Sequence, residues 1–245
     1  MEKWQGKVAV VTGASAGVGA AITKVLVQHG LMVVGLSRRI DRIETLAKTF
    51  TEGTGKLYAI KCDITREEDV VKYFNWITNN IGPIHILINN AYLMKPSNLT
   101  NGSTDDWRRV FEVNVIALSI CTREAVKIMN EHKINGHIIH MNSTLGHFIS
   151  PGNETNLNVY PASKFAVTAL SESLRHELRM MKSKTKITSI SPGFVKMEQD
   201  ENNENPSSKP CLRPDDVAEA IIYVLSTGPN VQVQELILRP VGERF

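Results

Sequence analysis

Val8-Ala9-Val10-Val11-Thr12-Gly13-Ala14-Ser15-Ala16-Gly17-Val18-Gly19-Ala20-Ala21-Ile22 is the stretch on which the fold of this chain turns. Apolar residues on consecutive rather than alternate positions, Val8 to Val11, read as a strand covered on both faces. Three glycines follow, and helical spacing begins directly behind them with Ala20, Ala21 and Ile22. Glycines at such a turn let the backbone approach a pyrophosphate, and the helix that opens there offers unpaired N–H groups and a partial positive charge to phosphates. A plain glycine turn joining strand to helix is the alternative. Its place at the head of a long alternating series favours the dinucleotide reading, with Gly13, Ser15, Gly17, Val18 and Gly19 as contacts.

The alternation runs on through the chain. Leu31 to Leu36, Leu57 to Cys62, Ile84 to Asn89, His137 to Asn142, Ile187 to Ile190 and Leu236 to Leu238 are apolar runs separated by longer segments of helical period. Seven strands with helices between them predict a parallel sheet, hence a doubly wound α/β fold of Rossmann type. No internal repeat or composition break divides the chain, so residues 1–245 read as one domain. Glu198 to Pro210, rich in Asn, Glu and Ser, has the chemistry of a mobile loop, and 197–212 are expected to form a substrate loop.

Composition narrows the function. Apolar residues at 42% and charged residues at 22% of 245 are ordinary globular values and exclude collagen, coiled coil and wholesale disorder. A formal net charge of +3 provides no strong field for nucleic acid or an acidic membrane surface. Cys62, Cys121 and Cys211 are too scattered for a disulfide framework or a zinc site, and no metal cluster is visible. The opening residues lack the long apolar stretch of a signal peptide or membrane span, so a cytoplasmic protein is expected. Glycosylation patterns such as Asn98-Leu99-Thr100 and Asn153-Glu154-Thr155 are then expected to be silent.

Three further segments carry chemistry. After the second strand, where an acidic residue would accept a free ribose hydroxyl, the chain reads Ser37-Arg38-Arg39. A guanidinium can hold a 2′-phosphate and a serine can donate to it, which points to NADP rather than NAD. Arg38, nearer the strand, is the better placed; a solvated helix start is the alternative. Trp107, Val110, Phe111, Val115, Leu118, Cys121 and Ala125 form one helical stripe, and Asn114 falls inside it, where a polar group needs a partner. Ala162, Ala166, Leu170, Leu174, Leu178 and Met181 make a second stripe on a helix that Pro161 can occupy only in its first turn. Tyr160 and Lys164 thus lie one turn apart at a helix start, where the ammonium would favour the phenolate and bring Tyr160 toward exchange near neutrality. An exposed pair is the alternative. His137 and His140 read as packed or hydrogen-bonded strand residues.

Together these residues resemble the short-chain dehydrogenase/reductase family over nearly the whole chain. Thr12 to Gly19 match its coenzyme loop, Asp63 the acid that meets the adenine, Asn89-Asn90-Ala91 the segment supporting the fourth strand, and Tyr160 with Lys164 its YxxxK pair. The resemblance implies Ser143 as the carbonyl-orienting serine, Asn114 as the holder of a relay water, and Ser191 to Val195 as the segment against the nicotinamide. Coenzyme contacts then also include Ile64, Asn90, Ala91, Pro192, Gly193 and Val195, and Lys164 would bind the nicotinamide ribose. Substrate would meet Ser143, Leu145, His147 and Tyr160. Within the family the likeness runs to the dehydrogenase/reductase member eleven group and insect farnesol dehydrogenases, carried by Trp4 to Ile22, Ala117 to Ala125 and Asp215 to Thr227.

The resemblance therefore implies an NADP-dependent oxidoreductase acting on a farnesol-like isoprenoid, keto-steroid or other small carbonyl or alcohol, assembled as a homodimer or homotetramer. Two departures stand out: Tyr92 where the family usually has Gly, and Met197 where Thr commonly meets the nicotinamide carboxamide. These, with the polar loop, favour a different reading, a dinucleotide-sensing or scaffold protein. The complete set of Asn114, Ser143, Tyr160 and Lys164 argues against it, since a sensor has no need of a proton relay.

Overall fold

The computed structural model describes residues 1–50, 55–149, 156–196 and 210–243. The strands are β1 (Val8–Thr12), β2 (Met32–Ser37), β3 (Lys56–Lys61), β4 (Ile84–Asn89), β5 (His137–Met141), β6 (Lys186–Pro192) and β7 (Glu235–Leu238). They form one sheet in the order β3-β2-β1-β4-β5-β6-β7, with every neighbouring pair parallel. The helices are α1 (Gly17–Gln28), α2 (Ile40–Ala47), α3 (Glu67–Asn80), α4 (Thr104–Phe111), α5 (Leu118–Glu131), α6 (Tyr160–Met180) and α7 (Pro214–Ser226). All seven predicted strands are present, with ends displaced by one or two residues.

The buried runs explain why the sheet sits inside. Every residue of β1 and β5 is buried, and two apolar clusters flank the sheet. On one face Ile22 and Leu26 of α1 join Val217, Ile221 and Val224 of α7; on the other Phe74 of α3 joins Cys121 and Ala125 of α5 and Leu174 of α6. Strand order reverses between β1 and β4, and in open parallel sheets ligands bind in the crevice beyond the carboxyl ends of the strands at such a point.

Two helical readings change in the structure. The stripe around Asn114 is not one α-helix: a π-helical turn, Glu112–Ala117, separates α4 from α5 and carries Asn114. The extra residue of a π turn re-aims side chains, and such turns gather at functional sites. On α6 the inward face is not the expected stripe of Ala162 to Met181. Ser163, Lys164, Val167, Ser171, Leu174 and Leu178 are buried, whereas Ala162 and Met181 are exposed. Polar side chains point inward on the first half of α6 because partners wait there, which an apolar pattern cannot show.

Met197 and the expected loop lie outside the described residues except for its end, where Leu212 bridges Val195. The pattern Asn153-Glu154-Thr155 also lies outside them. No helix among the described residues is long and apolar enough to cross a membrane.

Candidate active site

The glycine loop is shaped for close backbone approach. Gly13 and Gly17 adopt φ of +68° and +52°, a left-handed region that L side chains rarely enter. A Cβ on Gly19 would lie 2.2 Å from the Gly13 carbonyl oxygen and 2.5 Å from Asn90 Nδ2. Asn90 Nδ2 donates to the carbonyls of Thr12 (2.9 Å) and Gly13 (3.2 Å), while Thr12 Oγ1 accepts from the amides of Asn90 and Ala91, both at 3.0 Å. These bonds lock the loop to the end of β4, on both sides of the point where strand order reverses. Ala16, the residue before α1, makes no side-chain cap bond, so the first-turn amides of α1 face the loop as a phosphate would require.

Beyond β2, Ser37 Oγ donates to Ser15 Oγ (2.9 Å), Arg39 Nη2 donates to Ser15 Oγ (3.3 Å), and the Arg39 amide donates to Ser37 Oγ (3.0 Å). Arg39, rather than the expected Arg38, is drawn into this cluster, because the turn from β2 into α2 folds it back toward the glycine loop. Asp63 Oδ1 accepts from the amide and hydroxyl of Thr65 and so fixes the bend after β3 where Ile64 packs. A glycine cradle, an open helix terminus and a guanidinium bonded to one of two linked hydroxyls fit a phosphorylated dinucleotide.

Tyr160 and Lys164 occupy the first turn of α6, with Pro161 between them in the position Pro tolerates. Lys164 is 4% exposed, and its ammonium donates to the carbonyl of Met141 at the end of β5 (2.8 Å). It lies 5.6 Å from the centroid of the Tyr160 ring. Burial brings the Lys164 pKa down to about 7, and pushes the Tyr160 phenol well above its usual value, with Tyr92 adding to the shift. In the protein without coenzyme, desolvation thus outweighs the attraction expected between ammonium and phenolate.

Ser143 caps the short 3₁₀ turn Thr144–Gly146, its Oγ accepting from the Leu145 amide (3.1 Å). Thr168 fastens that turn to α6: its hydroxyl accepts from Asn142 Nδ2 and donates to the Gly146 carbonyl, both at 2.9 Å. Thr168 escaped the sequence reading, although it stands one turn beyond Lys164 and could have been found by that spacing. His147, expected toward substrate, turns its Nε2 to Ser191 Oγ (3.0 Å) and Glu235 Oε1 (3.2 Å), which binds the far end of the same turn to β6 and β7. Gly193 closes against β7 through its amide to the Leu238 carbonyl (2.7 Å), so Pro192, Gly193 and Val195 line the same end of the sheet.

Asn114 finds its partners. Oδ1 accepts from the Leu93 amide (2.7 Å), and Nδ2 donates to the Leu93 carbonyl (2.9 Å) and Ser163 Oγ (3.0 Å). Its side chain is therefore a clamp joining the segment after β4 to α6. Tyr92, beside Leu93, meets the Tyr160 ring edge-on at 6.3 Å between centroids.

The family model for the short chain dehydrogenases matches residues 7–207, the span that holds the glycine loop, half-buried Tyr160 with buried Lys164, and the turn that Ser143 caps. The chain belongs to this family. Among its short-chain dehydrogenase relatives, farnesol dehydrogenase of Aedes aegypti is 43% identical over all of both chains. Dehydrogenase/reductase SDR family member 11 of Bos taurus is 46% identical over 99% of each. An alcohol dehydrogenase of the archaeon Thermococcus sibiricus, solved with 5-hydroxy-NADP, superposes with a TM-score of 0.85 at 25% identity and 98% coverage of both chains. The protein is thus an oxidoreductase of the short-chain dehydrogenase family.

Proposed function

We propose that the protein transfers hydride between NADP(H) and a carbonyl or alcohol carbon, with Tyr160 as general acid and base. The observation that carries this reading is the buried Lys164 ammonium one turn from the Tyr160 phenol, with the Ser143 turn fastened to the same helix. The NADP(H) nicotinamide supplies or accepts the hydride.

The residues supply the rest. In reduction Tyr160 gives its proton to the carbonyl oxygen, and a phenol held above its usual pKa is fully protonated for that role at neutral pH. Ser143 accepts the Leu145 amide and keeps its own O–H to donate to the same oxygen, a donor aimed before charge develops. Lys164, titrating near neutrality, holds the next proton in the relay and binds the nicotinamide ribose. Asn114 fixes the wall opposite by clamping Leu93 to Ser163. The Ser15, Ser37 and Arg39 cluster receives the 2′-phosphate, which favours NADP over NAD.

Farnesol dehydrogenase among the relatives supports a farnesol-like isoprenoid alcohol or aldehyde as substrate, within a broader class of keto-steroids and small carbonyls, with half-buried Leu145 of the Ser143 turn as a candidate contact. Ile116 and Phe165, both exposed near the π turn and on α6, are what pairing of these helices in a homodimer or homotetramer would cover. The test is NADPH oxidation with a panel of isoprenoid aldehydes, ketones and quinones, comparing the wild type with Tyr160→Phe. Loss of the acid is expected to lower kcat by about 10²- to 10⁴-fold. Equal rates in the two proteins would overturn the role of Tyr160, and binding of NADPH with no turnover of any substrate would favour a dinucleotide-sensing or scaffold role.

A further inference from the structure

Tyr92 stands where three parts of the site converge. Lys164 Nζ lies 5.8 Å from the centroid of the Tyr92 ring and 5.6 Å from that of Tyr160, and the two rings meet edge-on. The ammonium therefore stands over both aromatic rings at nearly equal distances, an arrangement that attracts a cation through the ring quadrupoles. Exposure separates them: Lys164 is 4% exposed, whereas Tyr92, whose ring its ammonium faces, is 47% exposed and so stands on the solvent side of the pair. The backbone that carries it is fixed, because Asn114 grips both the amide and the carbonyl of the next residue, Leu93, and ties it to Ser163 on α6.

We infer that Tyr92 is a positioning residue of the proposed redox site: its ring covers the Lys164 ammonium and braces the Tyr160 ring, keeping the ammonium from bulk water. The inference rests on the reading of Tyr160 and Lys164 as a proton-handling pair and deepens it. Charge is dearly kept where water is excluded, so a cover of this kind lowers the affinity of the lysine for its proton. Among the described residues, the titratable groups facing Lys164 are few. Tyr92 comes from the segment after β4, Tyr160 from α6, and His140 from β5; that histidine is itself neutral because burial brings its pKa down to about 3. The π turn contributes Asn114, which carries no charge. Burial is the cause of the low value of about 7 at Lys164, and the Tyr92 ring is one of the two aromatic rings packed beside that ammonium.

The experiment is a pH titration of Lys164 by carbon-13 NMR of labelled lysine in the intact coenzyme-free protein, its resonance identified by its disappearance in Lys164→Met. Tyr92→Ala is expected to move the midpoint upward by about one pH unit, as water regains the ammonium. Tyr92→Gly, which restores the residue usual in the resembling family, is expected to do the same and serves if the alanine variant does not fold. Tyr92→Phe keeps the ring and is expected to titrate like the wild type. An unmoved midpoint in the truncated variants would overturn the inference, and so would a Tyr92→Phe midpoint shifted as far as theirs, since the hydroxyl rather than the ring would then be responsible. The titration needs neither coenzyme nor turnover. Its failure removes the role of Tyr92 alone, whereas equal turnover by the wild type and Tyr160→Phe removes the acid and base role of Tyr160 and leaves the titration result standing.

Discussion

Single side chains divide the labour of this site by what they touch. Thr12 and Asn90 hold the glycine loop, Arg39 and Ser37 gather at Ser15, and Lys164 is kept buried by a carbonyl and two rings. On the proposed reading, Arg39 is the residue whose removal would discriminate between coenzymes. A charge-assisted hydrogen bond contributes about 1.5 to 3 kcal/mol. Arg39→Ala is accordingly expected to raise the Kd for NADPH by about tenfold to a hundredfold and to leave that for NADH nearly unchanged, as measured by quenching of intrinsic fluorescence. Equal weakening toward both would mean that Arg39 does not read the 2′-phosphate. The sequence placed Ser37-Arg38-Arg39 at the end of β2, but which of two adjacent arginines reaches Ser15 depends on how the chain leaves β2, and no local pattern encodes that.

At the scale of elements, α6 organises the chemistry. Its first turn carries Tyr160 and Lys164, its second reaches the Ser143 turn through Thr168, and its third meets His140 of β5 through Ser171, whose Oγ lies 2.9 Å from His140 Nδ1. Thr168→Val keeps the shape of the side chain but strands Asn142 Nδ2 and the Gly146 carbonyl. The Oδ1 atom of Asn142 already lacks a partner among the described residues. Leaving buried polar groups unpaired costs about 1 to 3 kcal/mol, so this variant should unfold at lower urea concentration with an unchanged m-value. It should also lose kcat, because the turn that aims Ser143 is loosened. Full stability together with full activity would show that the turn is held by something other than Thr168.

Over the whole molecule, two histidines buried at the centre of the sheet set the response to acid. His137 lies 2.9 Å from Thr188 Oγ1, and His140 lies between Ser171 and Thr122; burial brings both pKa values down to about 3 from 6.5. The folded values are depressed, so below 6.5 the unfolded chain binds protons that the folded chain refuses. The stabilisation is complete above about pH 6.5 and is lost as pH falls toward 3. At pH 5 each histidine costs about 2 kcal/mol, from 1.36 kcal/mol per unit. A steep fall of Tm between pH 7 and 5 is expected, and His140→Gln, which cannot titrate, should flatten it by about half. An equal slope in wild type and variant would show that these histidines do not govern acid unfolding.

The sequence by itself determined the sheet, the glycine loop and the Tyr160 and Lys164 pair. Those features are written in short-range patterns: buried strands as apolar runs, the loop as glycines between strand and helix, the pair as a spacing of one helical turn. Only the tertiary structure decided which way the polar residues of α6 face, that a π turn carries Asn114, and that Tyr92 lies over Lys164. The physical reason is the same in each case. A buried polar or charged group goes where its partner is, and those partners, Met141 for Lys164, Leu93 for Asn114, Asn142 for Thr168, come from chain segments about twenty residues away or more, whose proximity exists only once the sheet has brought its carboxyl ends together.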